Sequence, residues 1–247
     1  MEEEKKTVRA VERALDVLLC FASGHEWGLT EIANKVGLHK STIHRLLATL
    51  EDKGFVTRDP STDKYRLGLS ILELSAHLSR SDDPSVMLLP EMERLRDQLN
   101  ETISLYVRDR TERVRIQAVQ STQAIRRVAT VGARLPLSVG ASSKVLLAFA
   151  DPGVRDAVLS DPAWPAQLER ESIAKQLDDI AAAGYATSFE EREPGAAAAA
   201  APIFSRSGKL VAALSVSGPS NRLTPDRMRE YAPAIIEAAH RMGTILG

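Results

Sequence analysis

Residues 29–50, LTEIANKVGLHKSTIHRLLATL, hold two short helical periods on either side of a glycine, and no other stretch constrains the chain as strongly. In the second period Ile43, Leu46, Leu47 and Leu50 recur at spacings of three, four and seven, which puts all four on one side of a helix. That side packs inward. Ser41, Thr42, His44, Arg45 and Thr49 fall on the other faces. They offer short hydroxyls, an imidazole and a fork-shaped guanidinium where a helix enters a major groove. Lys40 stands just ahead of them, within phosphate reach. Thr30, before Glu31-Ile32-Ala33, is expected to cap the first helix, and Gly37 to supply the left-handed turn that ends it. The pattern predicts a helix-turn-helix that binds double-stranded DNA.

The residues around it complete a winged module. Gly54 to Arg58 and Lys64 to Leu67 alternate as short strands joined by the turn-rich Asp59-Pro60-Ser61-Thr62-Asp63. Arg58, Lys64 and Tyr65 on this wing are candidates for contact with the DNA backbone or the minor groove. Upstream, Val8, Val11, Leu15, Leu18, Leu19 and Ala22 repeat at helical spacing and are expected to form the third helix that closes the core. Arg9 and Arg13, four apart on that helix, fit either phosphate contacts or an ordinary solvated face.

Formal charge is only −1 over 247 residues, yet residues 35–66 carry seven Lys or Arg against four Asp or Glu. The positive excess is therefore local. A protein that coats nucleic acid without sequence preference is usually basic throughout, so this balance favours a specific operator. A single cysteine, Cys20, excludes an internal disulfide and sits among Leu18, Leu19 and Phe21 as a small hydrophobe. The start, MEEEKKTVRAVER, has no apolar leader, and no stretch approaches a membrane span, so the expected location is the cytoplasm with no membrane partner.

VRAVERALDVLLCF, LTEIANKVGLHKSTIHRLLATLEDKGFV and YRLGLSILEL, followed by GARLPLSVGASSKVLLAF, GYATSFEEREPG and APIFSRSGKLVAALSVSGPSNRLT, resemble the IclR family of bacterial transcription regulators along the whole chain. The resemblance implies an α+β protein in three parts: a winged helix-turn-helix domain at 1–67, a linker helix at 68–82, and an effector-binding and oligomerisation domain at 83–247. The last is a GAF-like antiparallel sheet with flanking helices. Residue patterns agree with this. Ile71, Leu74 and Leu78 repeat helically before Ser81-Asp82-Asp83-Pro84 breaks the chain. Leu88, Met92, Leu95 and Leu99 mark a helix; Ile103, Leu105 and Val107, then Val114, Ile116 and Ala118, alternate as strands. Further helices are expected near 142–149 and 172–183, the latter ended by Gly184, with a hairpin turning at Ser207-Gly208. Thr224 and Pro225 signal the start of the last helix.

By the same resemblance, the effector cup falls on Leu135, Ala141, Ser142, Ser188, Ala196, Ala198, Ser215 and Ser217. Their chemistry suits an organic acid, because Ser142 opens a helix and Ser215 and Ser217 share one strand face. Hydroxyls and amides can hold an anion there without a buried cation. Ala196 to Ala201 replace the larger side chains usual in the family, which predicts an enlarged cup suited to an aromatic acid; Ser188 stands where some members carry an acid. Arg126 and Arg127 are expected on a strand, one inward and one outward.

The competing class is a hydrolase or acyl-transfer enzyme. GASSK invites that comparison, but Ala141 stands three before Lys144, where a Ser-x-x-Lys nucleophile would be. Gly-x-Ser-x-Gly, Walker and HExxH patterns do not occur, and one cysteine with scattered histidines makes no metal cluster, so no catalytic residue, metal or cofactor is expected. The expected mechanism is allosteric. A homodimer, by resemblance a dimer of dimers, binds a palindromic operator and responds to a small acid.

Overall fold

The computed structural model describes residues 7–76, 83–128, 130–162, 164–165 and 168–246. Two compact units divide the chain, Met1–Arg80 and Ser81–Gly247.

In the first unit, α1 (Arg9–Cys20) is followed by β1 (Trp27–Gly28), α2 (Leu29–Val36), α3 (Lys40–Asp52), β2 (Val56–Arg58), β3 (Lys64–Leu67) and α4 (Leu69–Ala76). The stripe on α3 is inward as its spacing requires: Ile43, Leu47 and Leu50 are buried and Leu46 packs at their edge. Gly37 ends α2 at φ 69°, where its N–H reaches the Ala33 carbonyl. The cap at the other end of α2 differs from expectation. Gly28 is the capping residue, and its N–H donates to the Glu31 carboxylate at 2.6 Å, so Thr30 lies inside the first turn with its side chain exposed. A glycine adopts the extended cap geometry at small cost, and Glu31 closes the turn from the other side by accepting the N–H of the cap residue itself. β1 pairs with β3 to make the wing three-stranded.

The helix that closes this core is α1, but on a different face. Val17, Cys20 and Phe21 are buried, whereas Val8, Val11, Leu15 and Leu19 are more than half exposed. Two apolar stripes run along α1 and its flanks; the longer one, through Val8, Val11, Leu15 and Leu19, is left to solvent, while Leu18 of the expected stripe packs at the edge of the core. Helix α4 likewise exposes Leu69, Leu72 and Leu74; the expected linker extends through residues 77–82, which lie outside the described residues.

The second unit opens with α5 (Pro84–Met87), capped by the Asp83 carboxylate, and α6 (Leu89–Leu99). Then come β4 (Thr102–Asp109), β5 (Glu112–Val119), β6 (Arg134–Pro136), α7 (Ala141–Ala148), α8 (Pro152–Leu159), α9 (Arg170–Ala183), β7 (Ala186–Phe189), β8 (Ala196–Phe204), β9 (Leu210–Pro219) and α10 (Pro225–Ile245). Six strands form one antiparallel sheet in the order β6-β5-β4-β9-β8-β7. Thr224 caps α10 by accepting the Arg227 N–H, with Pro225 at the first helical position, and Gly184 ends α9 at φ 75°.

Both faces of the sheet are covered. On one, α6 and α10 pack Met92, Leu95, Ile235 and Met242 against Ile103, Leu105, Ala199, Ala201, Leu214 and Val216. On the other, α7 and α9 pack Val145, Leu146 and Leu177 against Tyr106, Ala200 and Ala213. The alanine run is thus a strand whose odd-numbered members face the first layer and whose even-numbered members face the second. In β5 the alternation changes side: the register with β4 shifts between Leu105 and Tyr106, so Tyr106 opposes Arg115 while Leu105 opposes Gln117. The bulge absorbs Ile116 and puts Val119, not Ala118, into the first core layer.

Helix α10 approaches β8 closely at Gly243, where an added Cβ would lie 2.1 Å from the Phe204 carbonyl oxygen. Backbone on both sides leaves no side chain to yield. Gly243→Ala is expected to lower stability by about 1–3 kcal/mol, read as a lower midpoint in urea denaturation; an unchanged midpoint would show that the helix shifts freely on the sheet.

Candidate functional sites

On the first unit, the outward face of α3 presents Lys40, Ser41, His44, Arg45 and Thr49 to solvent, with Thr42 half-buried beside them. His39 caps the helix: its Nδ1 stands 2.8 Å from the Ser41 hydroxyl and accepts the Ser41 N–H at 3.4 Å. The imidazole thereby fixes the first turn. Arg13 of α1 lines a groove with Thr42, His44, Arg45 and Thr49, while Arg9 is exposed one turn earlier. On the wing, Lys64 is exposed, and Arg58 is exposed but held by Asp63, to which its Nε donates at 2.7 Å. Tyr65 is different. It is 4% exposed and belongs to the core, with the Arg58 guanidinium 5.8 Å above its ring, so its side chain presents almost no surface to a partner.

On the second unit, a cavity lies under the N-terminus of α7 on the sheet face away from α10. Its walls are Gly140, Ala141 and Ser142 at the helix start, Ser188 on β7, Ala196 and Ala198 on β8, and Ser215 and Ser217 on β9. Seven of the eight effector positions expected from sequence therefore converge. Leu135 is the eighth; it sits on β6 opposite Arg113 and packs with the second core layer, off the cavity wall.

The remaining walls are Ala197, one phenol and four cations: Tyr106, Arg113, Arg115, Arg127 and Arg192. Arg113 and Arg115 stand two apart on β5, so the pleat sends both to the same face, and both are buried. Arg113 Nη1 donates to the Val139 carbonyl at 2.9 Å and to the Ser143 hydroxyl, while its Nε is buried without a partner among the described residues. Arg115 donates from Nε to the Tyr106 hydroxyl at 3.0 Å and from Nη1 to the Thr130 carbonyl at 3.1 Å. The two guanidiniums flank the Tyr106 ring at 5.2 and 5.0 Å. Burial disfavours the charge on Arg113 and pulls its pKa down to about 10, with Arg192 and Arg115 adding repulsion. Among the described residues no carboxylate lines the cavity or forms an ion pair with Arg113 or Arg115; Glu193 pairs with the wall residues Arg127 and Arg192, and Glu191, bound by Lys144 at 2.6 Å, favours the Arg113 charge only from a distance.

Two expectations change here. Arg126 and Arg127 lie outside the strands; Arg126 is exposed and Arg127 reaches the cavity from a loop. The alanines do not leave a large cup, because the space beside them is taken by the long side chains of β5, and the free volume is about 50 Å³. Small walls on one strand accommodate large cations on another. Arg113 and Arg115 went unrecognised because Arg113-Val114-Arg115 also fits a strand with a solvated face, and only the helix layer above it decides otherwise.

The segment 83–244 matches the family model for the bacterial transcriptional regulator IclR C-terminal region, and 10–60 matches that for the IclR helix-turn-helix domain. The chain belongs to the IclR family. It is 30% identical to the transcriptional regulator KdgR of Escherichia coli, over all of this chain and 96% of that protein, and 31% identical to BhcR of Paracoccus denitrificans, over 97% and 88%. In solved structures it is similar to an IclR regulator from Alicyclobacillus acidocaldarius, with a TM-score of 0.83, 26% identity, and coverage of 98% of this chain and 100% of that one. An IclR homologue from Microbacterium hydrocarbonoxydans, solved with 4-hydroxybenzoate, gives a TM-score of 0.82 at 28% identity, with coverage of 96% and 98%. As an IclR-family member the protein is a DNA-binding transcriptional regulator with a ligand-binding C-terminal domain, not an enzyme.

Gly140 holds φ 100°, and a Cβ there would lie 3.0 Å from both terminal nitrogens of Arg113. Gly140→Ala is expected to cost about 1–3 kcal/mol from backbone strain alone. Denaturation midpoints of the variant and the parent protein measure it, and equal midpoints would show that the segment relaxes without penalty.

Proposed function

We propose that this IclR-family regulator binds a palindromic operator as a homodimer or dimer of dimers and that a small organic acid, bound in the cavity beneath α7, changes its operator affinity. In this reading residues 1–67 contact DNA, 68–82 link, and 83–247 bind effector and oligomerise. The observation that carries it is the pairing of an exposed polar recognition face on α3 with a cavity walled by cations and serine hydroxyls.

Arg45, Ser41, Thr42 and His44 read base edges; Lys40, Arg9, Arg13, Thr30, Arg58 and Lys64 hold phosphates. The burial of Tyr65 gives it a supporting part, under Arg58. The exposed apolar stripes of α1 and α4 support pairing of two copies. A dimer sets two recognition helices about 34 Å apart, the spacing of successive major grooves on one side of a duplex. Ser142, Ser188, Ser215 and Ser217, with Ala141, Ala196, Ala198 and the neighbouring Leu135, shape the effector site, and Arg113 and Arg115 supply its charge. The 4-hydroxybenzoate held by a relative supports an acid as the ligand class. A regulator of bacterial transcription works in the cytoplasm, where its operator is. Effector coupling of about 1 to 3 kcal/mol gives a change of several-fold to about a hundred-fold in operator affinity.

The test is a titration of the protein against DNA from immediately upstream of its own coding region, with and without a panel of small acids. Saturable, sequence-specific binding altered by an acid is the expected result. Arg45→Ala is expected to weaken operator binding by about 1–3 kcal/mol while acid affinity, measured by calorimetry, stays within error; unchanged operator affinity would remove Arg45 from the interface.

A further inference from the structure

The cavity holds more positive charge than one carboxylate answers. Arg113 and Arg115 are both buried, both face the cavity, and every acceptor they meet is neutral: two backbone carbonyls and two hydroxyls. Buried charges without counter-ions are costly, and two of them on one wall repel each other. Arg113 also keeps its buried Nε unpartnered. The N-terminus of α7 adds its positive end to the same space.

We propose that the ligand of this cavity is a short dicarboxylate, of about four or five carbons, whose two carboxylates are taken separately by Arg113 and Arg115. The two arginines are anchored apart, Arg113 by Val139 and Ser143, Arg115 by Tyr106 and Thr130, and leave a β-strand about 6 to 7 Å from each other. Two separately anchored guanidiniums suit two carboxylates at the ends of a short chain better than one compact phosphate. The serine hydroxyls of β7 and β9 remain for oxygen substituents between them. The inference rests on the organic-acid reading above and narrows it.

Calorimetry on the full chain compares succinate and glutarate with succinamate, lactate, 4-hydroxybenzoate and glycerol 3-phosphate. A dicarboxylate is expected to bind about tenfold or more tightly than succinamate, which lacks only the second charge. Arg115→Gln is expected to reduce succinate to the succinamate level; if that variant does not fold, the comparison of succinate with succinamate on the parent protein decides. A monocarboxylate or glycerol 3-phosphate binding as tightly as either dicarboxylate overturns the proposal and leaves the organic-acid reading in place. No acid binding at all, with operator binding retained, overturns both.

Discussion

The pleat of the six-stranded sheet commits each side chain to one of two covered faces. Its period of two sends Ile103, Leu105, Leu214 and Val216 to α6 and α10, and Tyr106, Ala213, Ser215 and Ser217 to the α7 side. A slip of one residue would exchange those sets. It would drive the guanidiniums of Arg113 and Arg115 into an aliphatic layer and strand the leucines on a polar cavity, a loss far beyond the stability of a domain of this size. The register is therefore fixed by chemistry on both sides of the sheet, and the cavity inherits its definition from the core behind it.

A break in that alternation lies where the cavity begins. The bulge opposite Leu105 and Tyr106 lets β5 present arginines to the cavity at one end and Gln117 and Val119 to the helices at the other, where the Gln117 amide reaches the Ser85 carbonyl at 3.0 Å. Bulges of this kind re-aim side chains without ending a strand. The alanines of β8 are the complement of this feature. Methyl groups at Ala196 and Ala198 leave depth on one side of the face, and the arginines extend across it from the other. Held by fixed carbonyls and hydroxyls, the guanidiniums are oriented before a ligand arrives, so that less binding energy is lost to ordering them.

Signals confined to one element were legible in the sequence. The α3 stripe, the Gly37 turn, the Thr224 cap with Pro225, and the Gly184 stop depend on neighbours within a turn of helix, and each appears where its local chemistry puts it. Choices between two faces of one element were harder. Helix α1 carries one stripe through Val17, Cys20 and Phe21 and another through Val8, Val11, Leu15 and Leu19, and hydrophobicity favours the second while the core takes the first. Tyr65 alternates with Lys64 and Arg66 as a wing residue should, but which side of a three-stranded wing is inward depends on β1, a two-residue strand with almost no sequence signature.

The cavity shows the same division. Sequence resemblance located Ala141, Ser142, Ser188, Ala196, Ala198, Ser215 and Ser217, which come together although they are separated by up to 76 positions, as the numbers 141 and 217 show. The arginines stand in ERVRIQAV, an alternation that fits a solvent-facing row equally well, and the helix layer that buries them is contributed by residues some thirty positions later. By itself the sequence determined most element types, the α10 cap, the Gly37 and Gly184 stops, the helix-turn-helix and the family, because those rest on short-range periodicity and ordered motifs. Only the tertiary structure decided which apolar stripe is buried, how small the cavity is and what charge lines it, because burial and desolvation are properties of a side chain's neighbours in space.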